Sequence, residues 1–313
     1  MNAVLKRLAM AVPALLGVSV VSFLLLNVLP GDPLAGLTGP ATTQADRDAL
    51  AHDLGLDRSV FVQYWLWLTR LLSGDMGFSL PRGRPVAELI GTALPNTVVL
   101  AAAAAVLGLA AGILLGSLAA LWVGRWPDRL ISGSSVLGLS IPNYWLSILL
   151  IIVFATGLKV LPAGGMHGPD GGFGDLLAHL VLPAIAASGV TAGLTARMTR
   201  ASLLETLGED FVLTLRAQGL SKRQVFGHVA KNAAPPIFAV GGLQIGYLLG
   251  GSVLVETIFS WPGLGQLMYQ AIAERDLRVV QGAVLVIAVT FVVVNLVVDL
   301  LQAVVNPRLR RGV

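Results

Sequence analysis

Cysteine is absent from this chain of 313 residues. That excludes disulfides, thiolate metal sites and cysteine nucleophiles. Charge is scarce: Asp, Glu, Lys and Arg make up 12% of the chain, against about 25% in an ordinary soluble domain. The 4 histidines, His52, His167, His179 and His228, are scattered without metal-ligand spacing, so no metal site built by this chain alone is expected. Three motifs are also missing: the phosphate loop G-x-x-x-x-G-K-[ST], the nucleophile elbow G-x-S-x-G and the zinc motif H-E-x-x-H. Hydrolase chemistry has no support, and ATP binding by a phosphate loop is excluded.

Apolar residues are what the chain has in quantity: 55%, with a mean hydropathy of +0.80. A soluble core cannot hide that much apolar surface, so the expected solvent is a bilayer. Crossing ~30 Å of hydrocarbon takes about 20 helical residues. Leu8–Leu29, Leu94–Gly124, Leu130–Leu158 and Leu176–Ala196 are charge-free; Pro236–Ile258 carries only Glu256, and Val279–Val305 only Asp299. These runs predict an all-α protein with six membrane-crossing helices. The first run is too long for a signal-peptide core and lacks a small-residue cleavage site, so it is expected to be retained. It ends in the helix breakers of Leu29–Pro33.

The net charge is +4 and the isoelectric point near 9.8. Lys and Arg at the cytoplasmic edges of a membrane protein explain this better than nucleic acid. With the N-terminus inside, Lys6, Arg7, Arg125, Arg129, Arg197, Arg200, Arg216, Lys222, Arg223, Lys231, Arg308, Arg310 and Arg311 all lie inside, 13 of 21 basic residues. Both termini are therefore expected in the cytoplasm. Trp122 and Trp126 fall at the inner interface and Trp261 at the outer one. Residues 30–93 read as an extracytoplasmic region, with a short polar helix at Ala45–Leu54 and an amphipathic helix at Tyr64–Leu72 lying on the membrane surface. Residues 94–313 form the five-helix core. Lys159–Asp175 reads as an outer loop, and a short helix is expected from about Gln266. Pro142 suggests a kink in the third span, and Arg197 is expected to snorkel to the inner interface.

The segment 197–235 is the main cytoplasmic one and has an unusual local grammar. Gly219 suits the left-handed residue that ends a helix. Ser221 and Gln224 form a capping box, and Leu220 and Val225 a hydrophobic staple, for the next helix. Pro235 and Pro236 are read as closing that helix and starting the next span. A passive connector needs no such rigid shape, so the hairpin reads as a docking element that carries force from a cytosolic partner.

Ten short stretches in this order resemble the permease subunits of bacterial ABC importers, in the dipeptide, oligopeptide and nickel branch. They are Leu29-Pro-Gly-Asp-Pro33, Leu54-Gly-Leu-Asp57 with Gln63-Tyr64, Gly74-Asp-Met-Gly-Phe-Ser79, Leu94-Pro-Asn-Thr97, Ser140-Ile-Pro-Asn143, Leu161-Pro162, Ala196-Arg-Met-Thr-Arg200, Arg216-Ala-Gln-Gly-Leu220, the run Glu256-Thr-Ile-Phe-Ser-Trp-Pro-Gly-Leu-Gly265, and Asn306-Pro-Arg308. The resemblance implies a type I importer fold in the bacterial inner membrane. It also implies a second, homologous permease, two ATP-binding subunits that hold ATP and Mg, and an extracytoplasmic substrate-binding protein, with no cofactor in this chain itself. The cytoplasmic hairpin would be the loop that fits a groove on an ATPase subunit, carried here by Glu209, Asp210, Arg216, Ala217, Gly219, Leu220, Ser221, Gln224, Lys231 and Asn232. The family's Glu-Ala-Ala positions read Leu213-Thr214-Leu215.

The expected cargo is di- or oligopeptides, with a nickel or metal chelate or glutathione as the alternative. A stand-alone secondary transporter is a further alternative, which an inverted repeat and paired midplane charges would mark. Glu256, Phe259, Trp261, Pro262 and Gly263 are candidates for an outer gate, with bracing of that segment the competing role for Glu256. Asp299 is expected to make a structural pair, with Arg308 in reach. Gly108, Gly112 and Gly116 form one stripe at helical spacing, and Gly242, Gly246 and Gly250 another. Each is read as close helix packing, or as a smooth surface at a pore or a partner.

Overall fold

The computed structural model describes residues 3–28, 43, 58–168 and 171–305. The polar helix expected at Ala45–Leu54, the Leu29–Pro33 stop, the pairing of Asp299 and the Asn306–Arg308 end lie outside the described residues or side chains. The chain forms two compact units, Met1–Pro95 with Leu267–Thr290, and Asn96–Gln266 with Phe291–Val313.

In the first unit, α1 (Ala3–Val28) meets α2 (Val60–Leu72). Phe23 lies 5.4 Å from the Tyr64 ring and 5.6 Å from that of Trp67, and the Ser19 and Tyr64 hydroxyls are 2.8 Å apart. Helix α2 buries none of its residues and leaves Phe61 and Trp65 exposed. A two-stranded antiparallel hairpin follows, β1 (Phe78–Ser79) with β2 (Arg84–Pro85), which the all-helical expectation did not include. Its short strands carry no periodic signal. The hairpin is latched by the Ser79 hydroxyl, which donates to buried Asp276, and by Arg82, which donates to Glu274 at 3.0 Å.

Helix α3 (Val86–Leu121) begins in the first unit and continues into the second. After it come α4 (Trp126–Ser140), α5 (Asn143–Leu150) with a π-helical continuation Ile151–Gly157, and α6 (Phe173–Leu207). Then follow α7 (Asp210–Ala217), α8 (Lys222–Gly251), α9 (Val253–Ile258), α10 (Leu264–Ala273) and α11 (Leu277–Val305). Among the described residues, four helices are long and apolar enough to cross a membrane: α3, α6, α8 and α11. Helix α4 and the α5 segment qualify together as a broken fifth, bent by 105°. Pro142 makes that break, because the ring favours an extended residue before it and Ile141 sits at φ −79°, ψ 120°. Helix α1 runs 26 residues, Ala3–Val28, with Ala11–Leu24 an apolar stretch within it.

The expected stop at Pro235–Pro236 does not occur. Helix α8 passes through both prolines and joins the hairpin to the span as one continuous helix. Val225, Val229, Ala233 and Ile237 are all buried, so one face at a spacing of four is packed on both sides of the prolines. The carbonyls of Lys231 and Asn232, which lose their amide partners, belong to exposed residues. The helix ends instead at Ser252, where the separate turn α9 starts. Helix α10 begins at Leu264, two residues before the expected start.

The first glycine stripe lies against α6. A Cβ added at Gly108, Gly112 or Gly116 would come within 2.9, 2.5 and 2.7 Å of the Cβ of Thr191, Thr195 and Thr199 respectively. Such backbone proximity is the main source of helix association in lipid. Of the second stripe, Gly242 and Gly246 are buried and Gly250 is exposed. Gly246 meets Phe291 and Asn295 of α11.

Replacing Gly112 by Val should force α3 and α6 apart and cost roughly 1–3 kcal/mol or more, as overpacking does. Gly91→Ala, at an exposed site with nothing within 4 Å, should be neutral. Thermal midpoints of the two purified variants check this, and a Gly112→Val midpoint equal to wild type would refute the packing account.

Candidate functional site

The hairpin expected from the sequence is α7, the tight link Gln218–Ser221 and the start of α8. Gly219 has φ +81° with open space around its Cβ position, so the backbone angle alone requires glycine there. Two bonds close the turn: Gly219 N–H to Arg216 O at 3.0 Å and Leu220 N–H to Leu215 O at 3.3 Å. This pairing satisfies carbonyls that a helix end leaves open. The Ser221 hydroxyl accepts the Gln224 N–H, and Gln224 Oε1 accepts the Ser221 N–H at 2.9 Å, the reciprocal box expected from the sequence. Beneath the turn, buried Val212 and Val225 and half-buried Leu215 and Leu220 share a cluster with Ala120 of α3 and Leu203 of α6. The Ser202 hydroxyl donates to Ala233 O at 2.9 Å, tying α6 to α8.

On this scaffold Glu209, Asp210, Arg216, Ala217, Gly219, Ser221 and Gln224 are exposed, as are Lys231 and Asn232; Leu220 is turned inward. Leu213, where the family pattern has a charged position, is 64% exposed. The candidate surface thus mixes charge with an apolar tip. Sequence reasoning noted Leu213 only as a departure from a pattern. Its position on the exposed side of α7, a step of about 100° round from buried Val212, is the signal that marks it as surface.

A second anchor holds the base of α6. Arg200 donates to the Asp128 carboxylate at 2.6 and 2.8 Å, and Asp128 also accepts the Gly124 N–H at 3.0 Å and the Ser132 hydroxyl at 3.2 Å. Motif reading picked out Arg200 but not its partner, which lies 72 positions away. Arg197 is exposed on the same helix.

The segment from Glu256 to Gly265 is a braced knot. Glu256 is wholly buried. Its carboxylate accepts the Ser252 hydroxyl at 2.8 Å, the Gly265 N–H at 2.7 Å and the Gln266 N–H at 3.3 Å, with a further bond to Thr97. The Thr97 hydroxyl in turn accepts the Leu264 N–H at 2.8 Å. Trp261, expected at the outer interface, is fully buried instead, because its indole N–H finds Asn96 O at 2.9 Å and its ring joins the core with Phe259. Asn96 donates back to Pro262 O at 2.8 Å, and Gly165 N–H reaches Phe259 O at 2.7 Å. A Cβ at Gly263 would collide with the Glu256 carboxylate, and one at Gly265 would come within 2.6 Å of Val253 Cα. Of the five gate candidates only Pro262 is exposed, and the geometry favours the bracing role for Glu256.

Gly263→Ala should therefore destabilise the chain by about 1–3 kcal/mol, the cost of inserting a methyl into a packed site. Pro262→Ala should do far less. Thermal unfolding of both variants checks this, and equal midpoints would mean the knot has slack.

The comparisons with known proteins agree with one another. Residues 112–311 match the family described as binding-protein-dependent transport system inner membrane component, and residues 1–101 match the N-terminal part described for the same class of membrane component. The chain is 40% identical over 314 residues to the glutathione transport system permease protein GsiC of Salmonella paratyphi A, covering 99% of each. It is 39% identical over 311 residues to the protein of the same name from Escherichia coli (strain K12), again covering 99% of each. Two inward-facing crystal forms of the MetNI methionine ABC transporter share the fold, with TM-scores of 0.56 and 0.58 at 21% and 18% identity, covering 70% of this chain and 96% of those chains. The family is one of permeases without known cofactors, whose ATP hydrolysis resides in partner subunits. The chain therefore belongs to the binding-protein-dependent transport system inner membrane components, as a multi-pass permease subunit of an ABC importer.

Proposed function

We propose that this permease forms half of the pathway by which an ABC importer takes up glutathione or a closely similar short peptide. One observation carries the cargo: 39–40% identity, over 99% of both chains, to glutathione transport permeases. The wider di- and oligopeptide reading rests on the shared architecture alone. A second, related permease supplies the other half, two ATPase subunits drive the cycle, and a binding protein delivers the solute. The chain crosses the membrane six times, counting α1 and the broken α4–α5 segment, with both termini in the cytoplasm.

The proposed transmission starts at the hairpin. Its exposed tip, with Leu213 at the centre, seats in an ATPase groove. Closure of the nucleotide sites pushes the tip. The rigid turn at Gly219 and the continuous helix α8 pass the displacement into the bilayer. The Glu256–Gly265 knot acts as a frame at the other side of the membrane, not as a reader of the solute.

The deciding experiment reconstitutes the complete importer with its binding protein in vesicles. ATP-dependent accumulation of glutathione, competed weakly by dipeptides, is expected; uptake of dipeptides with no glutathione transport would overturn the cargo. Leu213→Asp should lower affinity for the ATPase subunits roughly 10- to 100-fold, the loss of one buried leucine, while the thermal midpoint stays put. Gly219→Val must place a β-branched residue at positive φ, which costs more than the roughly 1–2 kcal/mol of an ordinary side chain. Solute moved per ATP hydrolysed should fall below the wild-type ratio. Unaltered coupling in that variant would remove the hairpin from the force path.

A further inference from the structure

The turn between α3 and α4, Leu121 to Leu130, carries exposed cations and exposed apolar side chains side by side. Its backbone is fixed: Gly124 stands at φ +77°, and its N–H is held by Asp128. Asp128 is the single acid in this stretch, is 4% exposed, and has its charge matched by Arg200. Arg125 and Arg129 on either side of it are exposed, and neither guanidinium has an acidic partner among the described residues. Arg197 adds a third exposed cation. It lies on α6 between Gly193, which meets Ser135 of α4, and Arg200, which meets Asp128.

The same surface is apolar. Trp126 is 72% exposed, and Leu121, Trp122, Val123 and Leu130 are exposed with it. In water this would be an unfavourable patch. It is well matched to the level where hydrocarbon meets headgroups, which is where the end of a span such as α3 lies. Leucine and valine suit the hydrocarbon, indoles the boundary, and guanidinium groups the phosphate layer. Arginine binds phosphate through a planar pair of N–H donors. A zwitterionic headgroup brings an ammonium that three cations repel, whereas an anionic one does not.

We propose that the α3–α4 turn, together with Arg197, is a binding surface for anionic phospholipid headgroups. The lipid sits against the turn that Asp128 and Arg200 lock to α6, so its occupancy steadies the helix that leads into the hairpin. This surface does not depend on which solute is carried, so a failed cargo assignment leaves it untouched.

The test titrates the purified full chain with phosphatidylglycerol and with phosphatidylcholine, and reads bound lipid by native mass spectrometry. Wild type should prefer phosphatidylglycerol. The Arg125→Gln/Arg129→Gln double variant should lose that preference by roughly fivefold per arginine removed, and Arg125→Lys/Arg129→Lys should keep most of it. Equal binding of the two lipids by wild type would overturn the proposal without any variant. An undiminished preference in the Gln variant would overturn it too. If that variant keeps its lipid preference but loses affinity for the ATPase subunits, the surface is a protein contact and the proposal falls.

Discussion

The architecture of the second unit depends on two helices being able to touch backbone to backbone. Lipid offers no hydrophobic reward for bringing apolar helices together, so association rests on close packing. Gly108, Gly112 and Gly116 of α3 provide the flat surface, and Thr191, Thr195 and Thr199 of α6 fill it. Once α6 is seated there, its C-terminal end is placed as well. Arg200 is then in position to grip Asp128, and Leu203 to floor the cluster beneath the hairpin.

From that seat the stiffness extends in one direction. The hairpin has no freedom at its turn, because carbonyls at the end of α7 and amides at the start of α8 are paired locally. Nor does α8 stop where two prolines would invite it, since Val225, Val229, Ala233 and Ile237 keep one buried face across the site. Independent caps, staple, cluster and buried stripe all favour the same shape, the kind of agreement between levels that marks a specified structure.

Local chemistry was legible in the sequence and distant pairing was not. Gly219, Ser221 and Gln224 form their turn with near neighbours, so spacing alone revealed it. The glycine stripe was visible as a surface, but nothing in α3 names Thr191, Thr195 and Thr199 as its partners. The end of α8 was misplaced because proline was given more weight than the apolar spacing of four that runs past it. Trp261 was misplaced for a similar reason. An indole prefers an interface only when its N–H lacks a partner inside, and the carbonyl of Asn96 supplies one from 165 residues away. Glu256 looked costly in an apolar run, and its donors come from Thr97 and from backbone that lies further along the chain.

That last arrangement bears on where selectivity resides. In the knot from Glu256 to Gly265, the carboxylate, the indole N–H, the Asn96 amide and the amides of Leu264 and Gly265 are all engaged inside the chain. A paired polar group can recognise a solute only by giving up a bond already made, and leaving a buried partner unmatched costs about 1–3 kcal/mol. Peptide recognition by these groups would thus start at a deficit. The same bonds make the segment stiff, with Phe259 and Trp261 packed into the core and Gly165 tied to its backbone. A stiff segment moves as a block when the helices that carry it move.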